Sequence, residues 1–142
     1  MMKYTKAEAL AECNRRCKNT LMETLGIEYI DLGDDFVLAK MPVTPRVHQP
    51  DGVLHGGASV ALAESVGSFG AFLFLNDADV MVRGIEISAN HVKSIREGYV
   101  YARATIVHKG RTTQLWQIRI TNEADELISL VKLTTLTLSK TK

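Results

Sequence analysis

The chain has 142 residues, 46% of them hydrophobic and 23% charged, the size and balance of one ordinary globular domain, which excludes a disordered polymer or a two-domain build. A chain of this length buries roughly 68–70% of the surface it would expose unfolded, so its two cysteines need not staple the fold. Seventeen Lys and Arg against sixteen Asp and Glu leave a net charge of +1, which argues against a broad basic surface for nucleic acid.

The N-terminal stretch MMKYTKAEALAECNRRCKNT has no uninterrupted apolar run before a small-residue cleavage site, so it does not read as a secretory signal and the expected location is cytoplasmic. Over residues 6–24, Leu10, Cys13, Cys17 and Leu21 recur at helical spacing, which predicts one amphipathic surface helix stopped at Gly26. Cys13 and Cys17 share that face and read as plain buried thiols, and no other Cys or His pair has ligand spacing, so no metal is expected. Two β-like runs follow, 27–32 and 36–41, joined by Gly33-Asp34-Asp35 as a hairpin. All three prolines, Pro42, Pro45 and Pro50, fall in 42–54 together with Asp51-Gly52, so that segment is read as a loop.

Residues 58–75 are apolar apart from Glu64, a marginal length for a membrane span. Asp51, Asp77 and Asp79 flank the run in place of basic anchors, and the charge sits mid-segment, so a helix buried inside a sheet protein fits better than a span. The rest of the chain reads as strands at 80–92, 99–107, 113–121 and 127–138, expected to form an antiparallel meander. In the third, Trp116, Ile118 and Ile120 share one face, while Leu115, Gln117 and Arg119 share the other. A helix apolar nearly all round has to be enclosed, and a curved antiparallel sheet does this economically. Ala58, Ala61, Ala63, Gly67, Gly70 and Ala71 would let that sheet approach closely.

The run Gln49-Pro50-Asp51-Gly52-Val53-Leu54-His55-Gly56-Gly57 leads into this helix, which carries Glu64 and, one turn on, Ser68. A carboxylate in an apolar helix is costly unless paired, and no Lys or Arg lies between Arg46 and Arg83. Glu64 is therefore either a functional group or a structural glutamate paired with a distant Arg83 or Arg119. Ser68 either holds that carboxylate or a water, or is a small packing residue.

The string QPxGxxHGGxxxxLAExxGS and the order of elements resemble the hotdog-fold acyl-CoA thioesterases, in the 4-hydroxybenzoyl-CoA thioesterase branch that carries a glutamate on the central helix. The stretches GIEISANHVKSIREG and HKGRTTQLWQI resemble the subgroup that includes 1,4-dihydroxy-2-naphthoyl-CoA hydrolase and the enterobactin-pathway proofreading thioesterase. The resemblance covers residues 25–138 and implies an α+β hotdog fold, a curved antiparallel sheet around a long central helix, with an added N-terminal surface helix. It implies that Glu64 attacks the thioester as nucleophile or general base, that Gln49 positions water or the acyl carbonyl, and that His55 polarises the site. The Gly56 N–H would be the oxyanion donor and Ser68 would support Glu64. A helix-start amide is a fixed donor to a developing oxyanion, a contact worth roughly 3–4 kcal/mol in other enzymes. It implies substrate contacts at Gly84, His91, Val92, Lys93 and Ser94, and at His108, Lys109, Gly110, Arg111 and Thr112, with Arg111 the preferred phosphate contact. No cofactor is implied beyond the CoA of the substrate.

Gly56 and Glu64 are eight residues apart, about 12 Å along a helix axis, too far for one thioester carbonyl to touch both. If both serve one site, the Gly56 of one subunit must face the Glu64 of another, with two sites per dimer. The resemblance implies the same arrangement, commonly as a dimer of dimers. Lys93, Arg96, Arg103, Lys109 and Arg111 against Glu97 form the densest basic stretch, suited to a nucleotide phosphate or else to solvated strand edges. His91 shares strand parity with Ile85, Ile87 and Ala89 and so points either to the acyl pocket or into the core; His48 and His108 are read as loop positions. The expected activity is hydrolysis of an acyl-CoA with an aromatic or medium-length hydrophobic acyl group, with an acyl carrier protein as the alternative carrier. A hotdog hydratase would need an Asp/His pair that is not seen, and an acyl-CoA sensor would need a DNA-binding module for which one N-terminal helix is too little.

Overall fold

The computed structural model describes residues 3–140; the first two and last two positions of the expected 1–142 domain lie outside it. Helix α1 (Lys6–Arg16) opens with a reciprocal cap. The Glu8 N–H donates to Thr5 Oγ1 at 3.2 Å, and the Thr5 N–H donates to the Glu8 carboxylate at 2.8 Å. Its inner face, Ala9 and Cys13, is continued by Cys17 into the core; burial pushes the Cys13 thiol up to about 12, so it stays protonated. The expected single helix over 6–24 is in fact two. The chain breaks after Cys17, with Asn19 at φ 59°, and restarts as α2 (Leu21–Leu25), which ends at Gly26 with φ 73°. The Glu23 side chain accepts from the Asn19 N–H at 2.7 Å and Thr20 Oγ1 donates to the Cys17 carbonyl at 2.5 Å, so side chains take over the backbone groups that a continuous helix would pair.

The hairpin of β1 (Glu28–Leu32) and β2 (Phe36–Pro42) forms as expected, and the proline-rich loop holds a 3₁₀ turn, Pro45–Val47, and an antiparallel bridge between His48 and Leu54. Helix α3 (Gly56–Leu75) then runs through the middle of the molecule, followed by β3 (Val80–His91), β4 (Tyr99–Lys109), β5 (Thr113–Thr121) and β6 (Leu127–Ser139). The six strands form one antiparallel sheet in the order β1-β2-β4-β5-β6-β3. The expected four-strand meander is thus correct only for β4-β5-β6. The hairpin strand β2 takes one edge of β4, so β3 pairs with β6 and becomes the far edge. The connection 92–98 crosses the start of α3, where the Ile95 carbonyl accepts from the Leu54 N–H at 2.8 Å.

The inner faces of the strands meet α3. Trp116, Ile118 and Ile120 of β5 are fully buried, as their alternation predicts, and Ala102 and Ala104 of β4 keep the sheet close. On β3 a bulge between Gly84 and Glu86 shifts the alternation, so Ile87 and Ala89 pack on the core while Ile85 is 55% exposed. The glycines of α3 set the approach distance. A Cβ on Gly67 would lie 2.5 Å from a Leu133 methyl, and one on Gly70 would lie 2.7 Å from the Trp116 ring.

These two glycines should respond differently to alanine. Alanine gains up to about 1 kcal/mol in helix propensity, while overpacking a neighbour that cannot yield costs about 1–3 kcal/mol. The Leu133 methyl can rotate away and the indole cannot. Urea unfolding should find Gly70→Ala about 1–2 kcal/mol less stable and Gly67→Ala within about 0.5 kcal/mol of the parent. Equal losses at both positions would contradict the rigid contact with Trp116.

Candidate active site

His55 caps α3, its Nδ1 accepting from the Gly57 N–H at 2.7 Å. The preceding Gly56 N–H has no acceptor among the described residues, so a fixed donor at the positive end of a 20-residue helix stays open. This end borders a cavity of about 290 Å³ whose lining includes Gln49, Gly56, His91, Val92, Lys93 and Ser94. Gln49 Oε1 accepts from the Asp51 N–H, which leaves the amide nitrogen free to donate. The His91 ring lies against the helix start, where a Cβ on Gly56 would come within 2.7 Å of Nε2, and its Nδ1 is 2.9 Å from Ser129 Oγ.

Glu64 faces a different cavity, about 550 Å³, with Ser68 on the same helix face. Phe69, Phe72, Met81 and Val82, whose orientation is not legible in the sequence, all line it. The half-buried Glu64 carboxylate has no ion pair or hydrogen bond among the described residues. Arg83 borders this cavity but its guanidinium donates to the Val82 carbonyl at 2.9 Å, and Arg119 lies in a groove with Leu38, Tyr101 and Arg103. The reading of Glu64 as a structural ion-pair partner therefore fails. Beneath it Gly84 leaves room, for a Cβ there would sit 2.5 Å from Glu64 Oε1. No hydrogen bond joins Ser68 to Glu64; the hydroxyl opens on the same cavity.

The positions expected to contact CoA do not gather in one copy. Val92, Lys93 and Ser94 lie at the start of α3, with Lys93 ion-paired to Glu126. His108 and Lys109 end strand β4 rather than lying in a loop, and Gly110, Arg111 and Thr112 form the following turn at the opposite end of α3, where Lys109 Nζ donates to the Phe74 carbonyl at 3.1 Å. The basic stretch is accordingly not one patch. Strand β4 separates its ends by about 30 Å; Arg96 donates to the Asp51 carbonyl at 3.2 Å and Arg103 stacks on Phe36 at 3.5 Å. His48 is bound too, with Nε2 2.8 Å from the Arg96 carbonyl.

The sequence reading missed the N-terminal contribution to the Glu64 cavity. Arg16, Leu21 and Met22 wall it, and Arg83 and Lys140 complete the rim. The Glu12–Arg16 spacing is legible as a helical ion pair, but nothing local to it signals that Arg16 reaches α3.

The enclosed helix and its antiparallel sheet are the fold of the hotdog-type thioester hydrolases. The profile of the Thioesterase superfamily matches residues 51–129, and the chain belongs to that family. A thioesterase from Haemophilus influenzae superposes with a TM-score of 0.90 at 42% identity, covering 96% of this chain and 92% of that one. A thioesterase from Pseudomonas aeruginosa does so at 0.90 and 38% identity, covering 92% of this chain and 94% of its own. The proofreading thioesterase EntH of Cronobacter turicensis is 45% identical over 122 residues, 86% of this chain and 88% of the relative.

Because the space under the carboxylate exists only for lack of a Cβ, Gly84→Ala should displace Glu64 by about an ångström. Misplacement on that scale can cost about a hundredfold in rate. The expected result is a kcat/KM for thioester hydrolysis lowered about a hundredfold, with an unchanged thermal midpoint. Full activity in this variant would mean that the placement of the carboxylate is immaterial.

Proposed function

We propose that this chain hydrolyses acyl-CoA thioesters bearing an aromatic or medium-length acyl group, at sites that each combine Glu64 of one subunit with the partner subunit's Gly56. The separation of the two groups carries the reading. They lie about 12 Å apart along α3 and open on two different cavities of the same copy. Half a site in each place serves one carbonyl only if a second copy brings the missing half.

The free edge of the sheet supports this assembly. Strand β3 is 12 residues long with no neighbouring strand beyond it among the described residues, and Ile85 and Val92, exposed by 55% and 59%, lie along or just past it. Such an edge is a template for another strand. Antiparallel pairing of two β3 strands about their midpoints sets the helix start of one copy beside the 80–84 stretch of the other, under Glu64. It also brings the partner subunit's Lys93 and Ser94 toward the turn of Arg111 and Thr112, reuniting the two CoA-contact segments. The dimer pairs again to a dimer of dimers, and the enzyme works in the cytoplasm without a cofactor.

Chemically, water adds to the thioester carbonyl with the Glu64 carboxylate either taking its proton or attacking first to form an anhydride that water then opens. The partner subunit's Gly56 N–H holds the oxyanion as it forms, Gln49 orients water or carbonyl, and Ser68 steadies Glu64. The products are the free acid and the thiol. A second reading keeps the same chemistry with an acyl carrier protein as the carrier, and a proofreading thioesterase is among the chain's relatives.

Thiol release from benzoyl-, naphthoyl- and hexanoyl-CoA, with benzoyl-loaded acyl carrier protein alongside, tests the activity. Glu64→Ala should lower kcat by about 10²- to 10⁴-fold, and an unchanged rate would refute its role. For the shared site, Gly56→Pro removes the oxyanion donor at a first helical position whose backbone suits proline, and the Cβ it adds displaces the His91 ring, which belongs to the same half of the site. Mixed with Glu64→Ala subunits, it should recover about a quarter of parental activity, since half the random dimers are mixed and each has one intact site. No recovery after exchange would exclude sharing.

A further inference from the structure

The cavity at Glu64 does not end where its apolar walls do. Arg16, Phe72 and Lys140 also line a second, adjoining cavity of about 200 Å³ that holds Lys3, Tyr4 and Asp77. Ser68 and Phe72 lie four and eight residues along α3 from Glu64, so the path from the carboxylate to the Arg16 end is about 12 Å. Its middle is Met22, Phe69, Met81 and Val82. Around the two cavities the cations are Lys3, Arg16, Arg83 and Lys140, and the acids are Glu64 and Asp77, with no ion pair between the two sets among the described residues.

Arg16 is built to face an anion. Its guanidinium stacks on the Phe72 ring at 4.2 Å, and Glu12 takes its Nε–H at 2.8 Å. Neither terminal nitrogen has an acceptor among the described residues, so the two groups that form a fork for a carboxylate stay open. Glu12, held down to about 2 by hydrogen bonds from Arg15 and Arg16, remains ionised and keeps the fork oriented. Across the opening, Lys140 is drawn in by the Ala78 carbonyl, which accepts from Nζ at 2.5 Å and leaves further ammonium protons to donate.

We infer that the acyl group this enzyme takes carries a carboxylate at the end remote from the thioester, read by Arg16 with help from Lys140. This rests on the reading that the thioester sits at Glu64. At roughly 1.2 Å per bond of an extended chain, 12 Å corresponds to about ten bonds, a medium-length acyl chain closed by an acid. Arg16 is itself 43% exposed at the side chain, so solvent screens the contact and the preference should be near tenfold rather than hundredfold.

The test compares two CoA thioesters of equal length, the monothioester of sebacic acid and decanoyl-CoA, in the parent and in Arg16→Gln, Arg16→Lys and Lys140→Gln. The expected result is a parental kcat/KM about tenfold higher for the acid-ended substrate, held mainly in KM because the contact is the same in ground and transition states. The ratio should fall toward one in Arg16→Gln, be partly kept in Arg16→Lys, and fall less in Lys140→Gln. Hydrolysis of both thioesters with no preference, or a preference untouched by Arg16→Gln, would overturn the inference and leave the thioesterase reading standing. Failure of the parent to cleave these and the benzoyl, naphthoyl and hexanoyl thioesters would remove both.

Discussion

A sheet can close around a helix only where the side chains between them nearly vanish. In this chain that constraint is met by glycine. Gly67 admits a Leu133 methyl, Gly70 admits the Trp116 ring, and on the sheet side Gly84 admits the Glu64 carboxylate. Interiors pack at crystal-like density, so each missing Cβ sets the place of the group that fills its space. The same device that seats the indole in the core seats the carboxylate at the rim of a cavity. Fold and site therefore share one mechanism, and a methyl group added at either place disturbs the local fit.

From that enclosure the separation of the two cavities follows. A helix that spans the whole sheet presents its start at one end and its middle a dozen ångströms away, and the connections that cover the two places differ. Residues 92–98 cross over the start, while α1 and α2 wall the middle. In a meander of all six strands β3 would lie between β2 and β4, but β2 pairs with β4 directly and β3 is displaced to the far edge beside β6. Two separate cavities and an unpaired edge strand in one copy thus have a common origin in the topology. Both are remedied by the same two-fold partner in the proposed assembly.

Much of this was legible in the sequence where a period carries the information. The alternation of Trp116, Ile118 and Ile120 announces a sheet with one covered face, and a lone glutamate in an apolar helix announces its own cost. The break between α1 and α2 was hidden because Cys17 and Leu21 keep the helical spacing on either side of it, while Asn19 takes up φ 59° between them. Strand partners were hidden because alternation says which face is inside and nothing about which neighbour is free. The basic stretch misled for a related reason: residues contiguous in an extended strand are not contiguous in space. Arg16 and Lys140 could not be assigned to the Glu64 cavity, since that neighbourhood exists only after both ends of the chain have packed on α3.

Polar groups inside a folded chain are almost always paired, and here the exceptions fall into two kinds. One is Trp116 Nε1, buried in the core with no partner among the described residues, an isolated cost of fitting an indole against Gly70. The others are accessible and lie along the two cavities: the Gly56 N–H, the Gln49 amide, the Glu64 carboxylate and the terminal nitrogens of Arg16. Gly56, Gln49 and Arg16 are held in place by bonds made elsewhere on the same residue or its neighbour, as with His55 capping Gly57 and Glu12 gripping Arg16, and Glu64 is seated by the space over Gly84. Orientation without satisfaction is what a binding group requires, because its last hydrogen bond is left for the ligand to make. A chain whose net charge is only +1 still presents a graded series of such groups, from donors at a helix start, through a carboxylate, to cations beyond an apolar stretch. In the proposed dimer that series follows one thioester from its carbonyl to the far end of its acyl group.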